Sequence, residues 1–468
     1  MGVRTPERCV GRASFAKWRR GSGLADAGKN ETGERVQSAR LGGHARGILP
    51  DAPTDGFDSG TRGLAGCRIA MKTSGLTIGI VGAGTAGPAA AVLLARAGHR
   101  VRLYERAPVN LPVGAGFLLQ PTGMGVLARI GVLDELRPLT AGIRRLHCLD
   151  RRGRSLLNLN YEEALPGVQG AGTHRATLLN LLLREATSSG VEILWDHAIA
   201  SMERGTDGRP RLVDARGGIH GPFDLLLLCD GAQSTLRAQA GLSFRVDRYP
   251  WGALWFIGKR PAEFAPDTLW QRVGSTRELE GFLPTGTKDD LLSFFWSVKL
   301  ADVAAWREGD LDDWKRQVLA LAPQAEGFLA QIKHHDQLSV AAYHDVRMRH
   351  WHGDRVAVLG DAGHALSPQL GQGVNLALMD AAALVRTLGE SRSLEEGLAA
   401  YSEARRSHLC YYQFATRWLT PFFQSDAPSL GWLRDGFFPL IGRVPWVRRQ
   451  MITTMAGQKT GVFGRVRE

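Results

Sequence analysis

Apolar residues in this chain gather in short runs bounded by glycine, and most of the runs suit strands better than helices. LTIGIV at 76–81 predicts a buried parallel strand. TAGPAAAVLLARA at 85–97 follows at helical period and stops at Gly98, and RVRLYE at 100–105 predicts the next strand, so that the three make a βαβ unit. A helical stretch, TLLNLLLREATS at 177–188, leads into VEILW at 191–195, and DLLLLC at 224–229 is another buried strand. From about 245 to 345 the pattern changes: WGALWFIGKR, LEGFLP and LLSFFWSVKL are aromatic and strand-like, which predicts a sheet with one face toward a pocket. RVAVLG at 355–360 returns to the buried-strand style, NLALMDAAALVRTL at 375–388 is a helix, and the chain from 394 onward is mostly helical, with no internal repeat. These patterns divide the chain into 71–245, an inserted mixed sheet at 246–345, a return to the first domain at 346–390, and a helical C-terminal region at 391–468.

Residues 1–70 stand apart. They hold 13 glycines, 12 Lys and Arg against seven Asp and Glu, and little apolar periodicity, so they are expected to be a disordered or spurious extension. The seven acids argue against a transit peptide. The whole chain, 468 residues with 44% apolar and 22% charged, has ordinary globular composition and room for about two to three domains. Its net charge of +12 comes without a block of five or six basic residues in the body, so no nucleic-acid partner is expected. A basic cleft would suit anionic dinucleotides. The five cysteines, Cys9, Cys67, Cys148, Cys229 and Cys410, include no C-x-x-C pair. This argues against a disulfide framework and a zinc site, so no metal is expected and a reducing, cytoplasmic setting is. No apolar run reaches the ~18 residues of a membrane-spanning helix. The pattern leaves the oligomeric state open.

Chemistry enters with Gly82-Ala83-Gly84-Thr85-Ala86-Gly87, a G-x-G-x-x-G run between strand and helix. Gly82 allows the tight turn, Gly84 lets a pyrophosphate approach the backbone, and Gly87 lets helix and strand pack closely. Glu105 ends the next strand, where a carboxylate can accept the hydroxyls of an adenosine ribose, and Arg106 beside it is grouped with the cofactor-binding residues. The fold class is therefore α/β with a Rossmann-type domain. A second constellation runs Gly360-Asp361-Ala362-Gly363-His364-Ala365, Ser367-Pro368, Gly371-Gln372-Gly373-Val374-Asn375. Asp361 can bind a chain of hydroxyls, and the glycine-rich helix start can stabilise the negative edge of a reduced isoalloxazine. Together they point to FAD rather than NAD. A third piece, Cys229-Asp230-Gly231-Ala232-Gln233-Ser234-Thr235-Leu236-Arg237, is either a further cofactor turn or an ordinary turn capped by Ser234 or Thr235.

GAGTAG at 82–87, CDGAQSTLR at 229–237, GDAGHALSPQLGQGVN at 360–375 and VGAGFLLQPTGMGVLARIGV at 113–132 together resemble the class A flavoprotein monooxygenases, the p-hydroxybenzoate hydroxylase-like group. The resemblance spans about 80–390. It implies a Rossmann-type FAD-binding domain with an inserted β-sheet substrate domain. It implies that Glu105 binds the adenosine ribose, that Asp361 binds the ribityl chain, that Gly373, Val374 and Asn375 lie against the flavin pyrimidine edge, and that Arg175 lies near the flavin. Asp230 and its motif would touch both FAD and the incoming nicotinamide cofactor. The implied reaction is hydroxylation of an aromatic substrate with NADPH or NADH and O₂ through a flavin C4a-hydroperoxide, with the chemistry supplied by the flavin. Pro368 and Gly371 would border the reacting edge, and no side-chain catalyst can be named. His147, His344 and His364 are candidates by type alone, with a structural role favoured for each. Trp255, Phe282 and Trp296 are candidate pocket residues, against the competing reading that they pack the core, because alternate strand residues face opposite ways. A departure is Gly363, where the family usually has a second alanine, and no functional change is expected from it. The W-x-W-x-I-P run of flavin halogenases is missing. A reductase and a non-catalytic flavin protein remain as alternatives.

Overall fold

The structure, a computed structural model, describes residues 75–109, 115–286 and 290–466. The expected extension at 1–70 lies outside them. A six-stranded sheet runs His352–Gly353, Val356–Val358, Leu225–Leu228, Thr77–Val81, Arg100–Tyr104, Glu192–Leu194. All its pairings are parallel except the edge pair at 352–353. Leu225–Leu228 and Val356–Val358 are buried along their whole length, as strands covered on both faces must be. The helix Ala86–Arg96 packs against the helices Arg175–Ser188 and Gly373–Glu390, and the long helix Leu394–Leu419 packs on the latter. Ser393 starts this long helix by accepting the N–H of Glu396 at 3.2 Å.

The second large sheet has seven strands in the order Ser339–Met348, Phe244–Lys259, Leu291–Lys299, Leu279–Pro284, Thr268–Val273, Arg145–Asp150, Ser155–Asn160. It draws five strands from 244–348 and two from 145–160, the latter from the stretch assigned above to the first domain. Only the pairing of Thr268–Val273 with Arg145–Asp150 is parallel. One face is covered by the helices between 303 and 329, and Leu254, Phe256, Phe282, Phe294, Trp296 and Phe328 form a core there. Asp310 caps the helix Leu311–Leu321 by accepting the N–H groups of Asp312 and Asp313 at 2.6 and 3.2 Å. The other face meets a three-stranded sheet of Gly116–Leu119, Gly170–His174 and Ala141–Ile143, and then the C-terminal helices. A separate three-stranded sheet joins Ile199–Arg204, Pro210–Asp214 and Ile219–His220.

Candidate active site

The functional motifs end up together because they follow neighbouring parallel strands. The carboxyl ends of Val356–Val358, Leu225–Leu228, Thr77–Val81 and Arg100–Tyr104 stand side by side. They carry, in that order, the Gly360 loop, the Cys229 motif, the glycine run and Glu105. Ligands of open α/β sheets bind in the crevice at such strand ends.

The glycine run divides its tasks. Gly82 has φ +102°, and a Cβ there would lie 2.4 Å from the Cys229 carbonyl oxygen. A Cβ on Gly87 would lie 2.0 Å from the Gly82 carbonyl oxygen, so helix and strand touch only because it is absent. A Cβ on Gly84 would meet nothing within 4 Å, leaving an open approach to the backbone. The helix Ala86–Arg96 has no side-chain cap at Thr85, which leaves its first N–H groups to an anion. The Glu105 carboxylate accepts the N–H of Ala83 at 2.7 Å and of Ala107 at 2.9 Å. Those two bonds fix its position and leave acceptor capacity for ribose hydroxyls. Arg106 next to it is exposed.

The second loop is held from below by a network that sequence reasoning missed. Asp380, fully buried in the helix Gly373–Glu390, accepts the N–H of Gly360 at 2.8 Å, His364 Nε2 at 2.5 Å and Arg405 Nε at 2.7 Å. Burial raises its carboxyl, but His364, Arg405 and the Gly360 N–H outweigh this and hold it at about 2. An acid in the otherwise apolar NLALMDAAALV was the available signal. His364 is thus spent on the network, in line with a structural histidine. Asp361, the next residue after Gly360, is exposed, and its Oδ1 lies 3.8 Å from where a Cβ on Gly373 would be. The helix Gly373–Glu390 starts without a side-chain cap, so the N–H groups of Gly373 and Val374 face outward unpaired by a cap. Asn375 differs from its expected role in one respect. Its side chain is buried and clasps the neighbouring strand, donating to the Leu118 and Gly371 carbonyls at 3.2 Å each and accepting the Gln120 N–H at 2.8 Å. That leaves its backbone, not its amide, for a ligand. Pro368 begins a one-turn 3-10 helix, Pro368–Leu370, and Gly371 ends it at φ +62°.

Arg237 joins the third motif to the second. It is buried and donates to the carbonyls of Ala362 at 2.5 Å and Ala232 at 2.7 Å. Asp230 is half-buried; burial raises its carboxyl, and Ser234, Arg237 and Arg106 pull it back. Its Oδ1 has no partner among the described residues. His344 lies among Arg248, Arg237 and Asp361: burial and the two guanidinium groups lower its pKa, and Asp361 opposes them. His147 lies on the strand Arg145–Asp150, lowered first by burial and then by Arg145. Arg175 is exposed at the first position of its helix, its backbone N–H bonded to Ala115 at 3.3 Å.

Strand alternation separates the three aromatic candidates. Phe282 and Trp296 point into the core beneath the covering helices, so they pack that core and do not line the pocket. Trp255 lies on the opposite face and meets Phe295 with ring centroids 5.2 Å apart. Phe295, Ser297, Gln369 and Gln424 are residues of that face and its border that sequence reasoning did not single out. Gln424 donates to the Gly252 carbonyl at 3.0 Å and Ser297 Oγ at 2.8 Å, and accepts from Gln369 at 3.0 Å. The signal was unreadable in advance, because Gln424 belongs to the C-terminal region.

Cysteine spacing suggested no metal site. Among the described residues, His197, Asp214 and His220 do bring possible ligand atoms within 4.8 Å of one another, beside the end of the strand that carries Glu105, whose carbonyl accepts the His197 N–H at 2.9 Å. His220 bonds Asp214 at 2.8 Å, and His197 bonds the Trp195 carbonyl at 2.7 Å.

These residues fit a flavin dinucleotide: an uncovered glycine approach, two uncapped helix starts, and two carboxylates spaced along one crevice. Comparison with known proteins agrees. A family model described as FAD binding domain matches residues 76–410. A 2-heptyl-3-hydroxy-4(1H)-quinolone synthase of Mycobacteroides abscessus is 30% identical over 334 residues, 70% of this chain and 85% of that one. A 6-methylpretetramide 4-monooxygenase of Streptomyces rimosus is 28% identical over 357 residues, covering 70% of this chain and 79% of its own. A Klebsiella pneumoniae protein solved with FAD and uric acid shares the fold, with a TM-score of 0.72 and 22% identity over 82% of this chain and 98% of that one. Among the described residues, no helix is long and apolar enough to cross a membrane. The chain belongs to the FAD-binding family of class A flavoprotein monooxygenases and is an NAD(P)H-dependent aromatic hydroxylase.

Proposed function

We propose that the substrate is a neutral, bicyclic nitrogen heteroaromatic with an apolar substituent, of the alkylquinolone class, hydroxylated on its ring. The observation that carries this reading is the chemistry of the sheet face next to Pro368–Gly371. It offers Trp255 and Phe295 as apolar surface, with Ser297, Gln369 and Gln424 as neutral polar groups. Gln369 uses its amide N–H₂ on Gln424, so its carbonyl oxygen is the group that would accept a ring N–H. A relative at 30% identity is, by its name, a synthase of a ring-hydroxylated heptylquinolone, which supports the same class.

Bound FAD supplies the redox chemistry and the activation of O₂. The chain supplies binding and orientation. In our reading Glu105 holds the adenosine ribose, Gly84 and the start of the helix Ala86–Arg96 hold the pyrophosphate, and Asp361 holds the ribityl hydroxyls. The N–H groups of Gly373 and Val374 stabilise negative charge on the flavin pyrimidine edge. Arg248 and His344 form the basic entrance at which the nicotinamide dinucleotide docks, beside Asp230, and the buried Arg237 adds its charge. Arg175 is assigned to the flavin's surroundings. Cys148, Cys229 and Cys410 are free thiols, which supports a reducing, cytoplasmic setting.

The test is substrate-stimulated NAD(P)H oxidation with 2-alkyl-4-quinolones, simple phenols and aromatic carboxylic acids, with products read by mass spectrometry. Quinolones should stimulate turnover and gain one oxygen atom. Stimulation by aromatic acids but not by quinolones would overturn the substrate class.

A further inference from the structure

The helix Pro428–Ile441 has two unlike faces. On its inner side Phe438 packs with Phe422 and Phe423, and Arg434 is buried, donating to the Phe422 carbonyl at 2.9 Å. On its outer side Trp432, Leu433, Phe437 and Leu440 form one stripe at helical spacing, with Trp432 79% and Leu440 60% exposed. Beyond the turn that ends this helix, Val444 and Trp446 are also exposed, and the Trp446 ring lies 6.3 Å from that of Phe463, itself 86% exposed. A large aromatic side chain presents ~200 Å². Trp432, Trp446 and Phe463 alone therefore expose on the order of 400 Å² in total, as much as the largest apolar patch of an ordinary monomer.

The charges around this surface select its occupant. Arg443, Arg449 and Arg465 are exposed on the same elements and form no ion pair among the described residues. Asp435, the one acid between 428 and 466, is bonded to Arg434 at 2.8 Å. In a symmetric pair of copies the same patch faces itself. The arginines would then oppose arginines with no free acid to answer them. An anionic bilayer answers both features: its headgroups neutralise the arginines, and the headgroup–acyl boundary accepts tryptophan and phenylalanine.

We propose that this C-terminal face docks the enzyme, lying in the plane of the surface, onto an anionic membrane. The helix that docks shares its core with Cys148, Leu156, Val273 and Leu279 of the seven-stranded sheet, so the docked surface is mechanically continuous with that sheet. The inference does not depend on the quinolone assignment.

The experiment is co-sedimentation of the full FAD-loaded enzyme with sucrose-loaded vesicles of phosphatidylcholine alone, or of phosphatidylcholine and phosphatidylglycerol in a two-to-one ratio. Binding is expected to the mixed vesicles, weakening with added salt, and much less to the neutral ones. Trp432→Ser with Phe463→Ser, and separately Arg443→Gln with Arg449→Gln, should each lower binding on the order of tenfold. Bound FAD and melting temperature should stay unchanged, because these side chains are exposed. Absence of binding to the mixed vesicles overturns the proposal. So does a dimer, seen by light scattering, that the Trp432 and Phe463 substitutions dissociate while vesicle binding stays unaltered.

Discussion

The indole Nε1 of Trp351 donates to the carbonyl of Gly363 at 3.0 Å, and a Cβ at position 363 would stand 2.7 Å from Trp351 Cδ1. This explains why the loop departs from the alanine usual in its family. Trp351 is fully buried and fills the space that an alanine methyl would need. Gly363→Ala should therefore destabilise the protein by about 1–3 kcal/mol, the usual cost of overpacking a core. Adding Trp351→Phe should recover part of that loss. Thermal melts of the single and double variants check it; a neutral single variant would mean that the loop yields without cost.

Gly84 and Gly87 should respond oppositely to the same substitution. Gly84→Val meets no protein atom within 4 Å of its Cβ, so the apoprotein should fold and melt as the parent does while losing FAD. Gly87→Val drives its Cβ to 2.0 Å from the Gly82 carbonyl and should impair folding itself. Flavin absorbance together with circular dichroism separates the two. If Gly84→Val kept full FAD, the pyrophosphate would not run over that glycine.

Asp361→Ala should weaken FAD binding. One charge-assisted hydrogen bond is worth about 1.5–3 kcal/mol, roughly 10- to 150-fold in Kd. Gly373→Val is tolerated by the protein around it, since its nearest neighbour is Asp361 Oδ1 at 3.8 Å. It should nevertheless reduce coupled turnover sharply, by crowding the flavin edge. Fluorescence titration of the apoprotein measures the first effect, and the ratio of product to NAD(P)H consumed measures the second.

His408 makes stability pH-dependent in a defined window. Burial, with help from the charge of Arg405, lowers its pKa from 6.5 to about 3, and it is held neutral between Arg405 and the Gly457 carbonyl. The unfolded chain binds this proton below pH 6.5, but the folded chain does not until about 3. Stability should thus fall as pH drops through that interval, by at most about 1.4 kcal/mol per pH unit from this group. Asp380, lowered from 3.8 to about 2, contributes stability that is lost only below 3.8. Urea unfolding across the window should show a shallower acid slope for His408→Gln than for the parent. Equal slopes would assign the titration elsewhere.

The sequence alone determined the elements whose signal is local. A strand, three glycines and a helix sit in order at 76–97, and steric limits at Gly82 and Gly87 make that order readable without a structure. The same holds for the strand-loop-helix at 355–388 and for the placing of the carboxylates Glu105 and Asp361 just beyond strand ends. Tertiary structure decided whatever depends on which face a side chain takes or on partners far along the chain. The period of two in a strand says that Trp255 and Phe282 cannot be assumed to face alike, but only the covering helices decide which face becomes core. The strands at 145–160 joined the seven-stranded sheet because Thr268–Val273 offered them an edge more than a hundred residues later. Asp380 with Arg405, Asn375 with Gln120, and Gln424 with Ser297 are buried polar pairings that no spacing announces. A buried polar group must find a partner, and the fold determines which one it reaches.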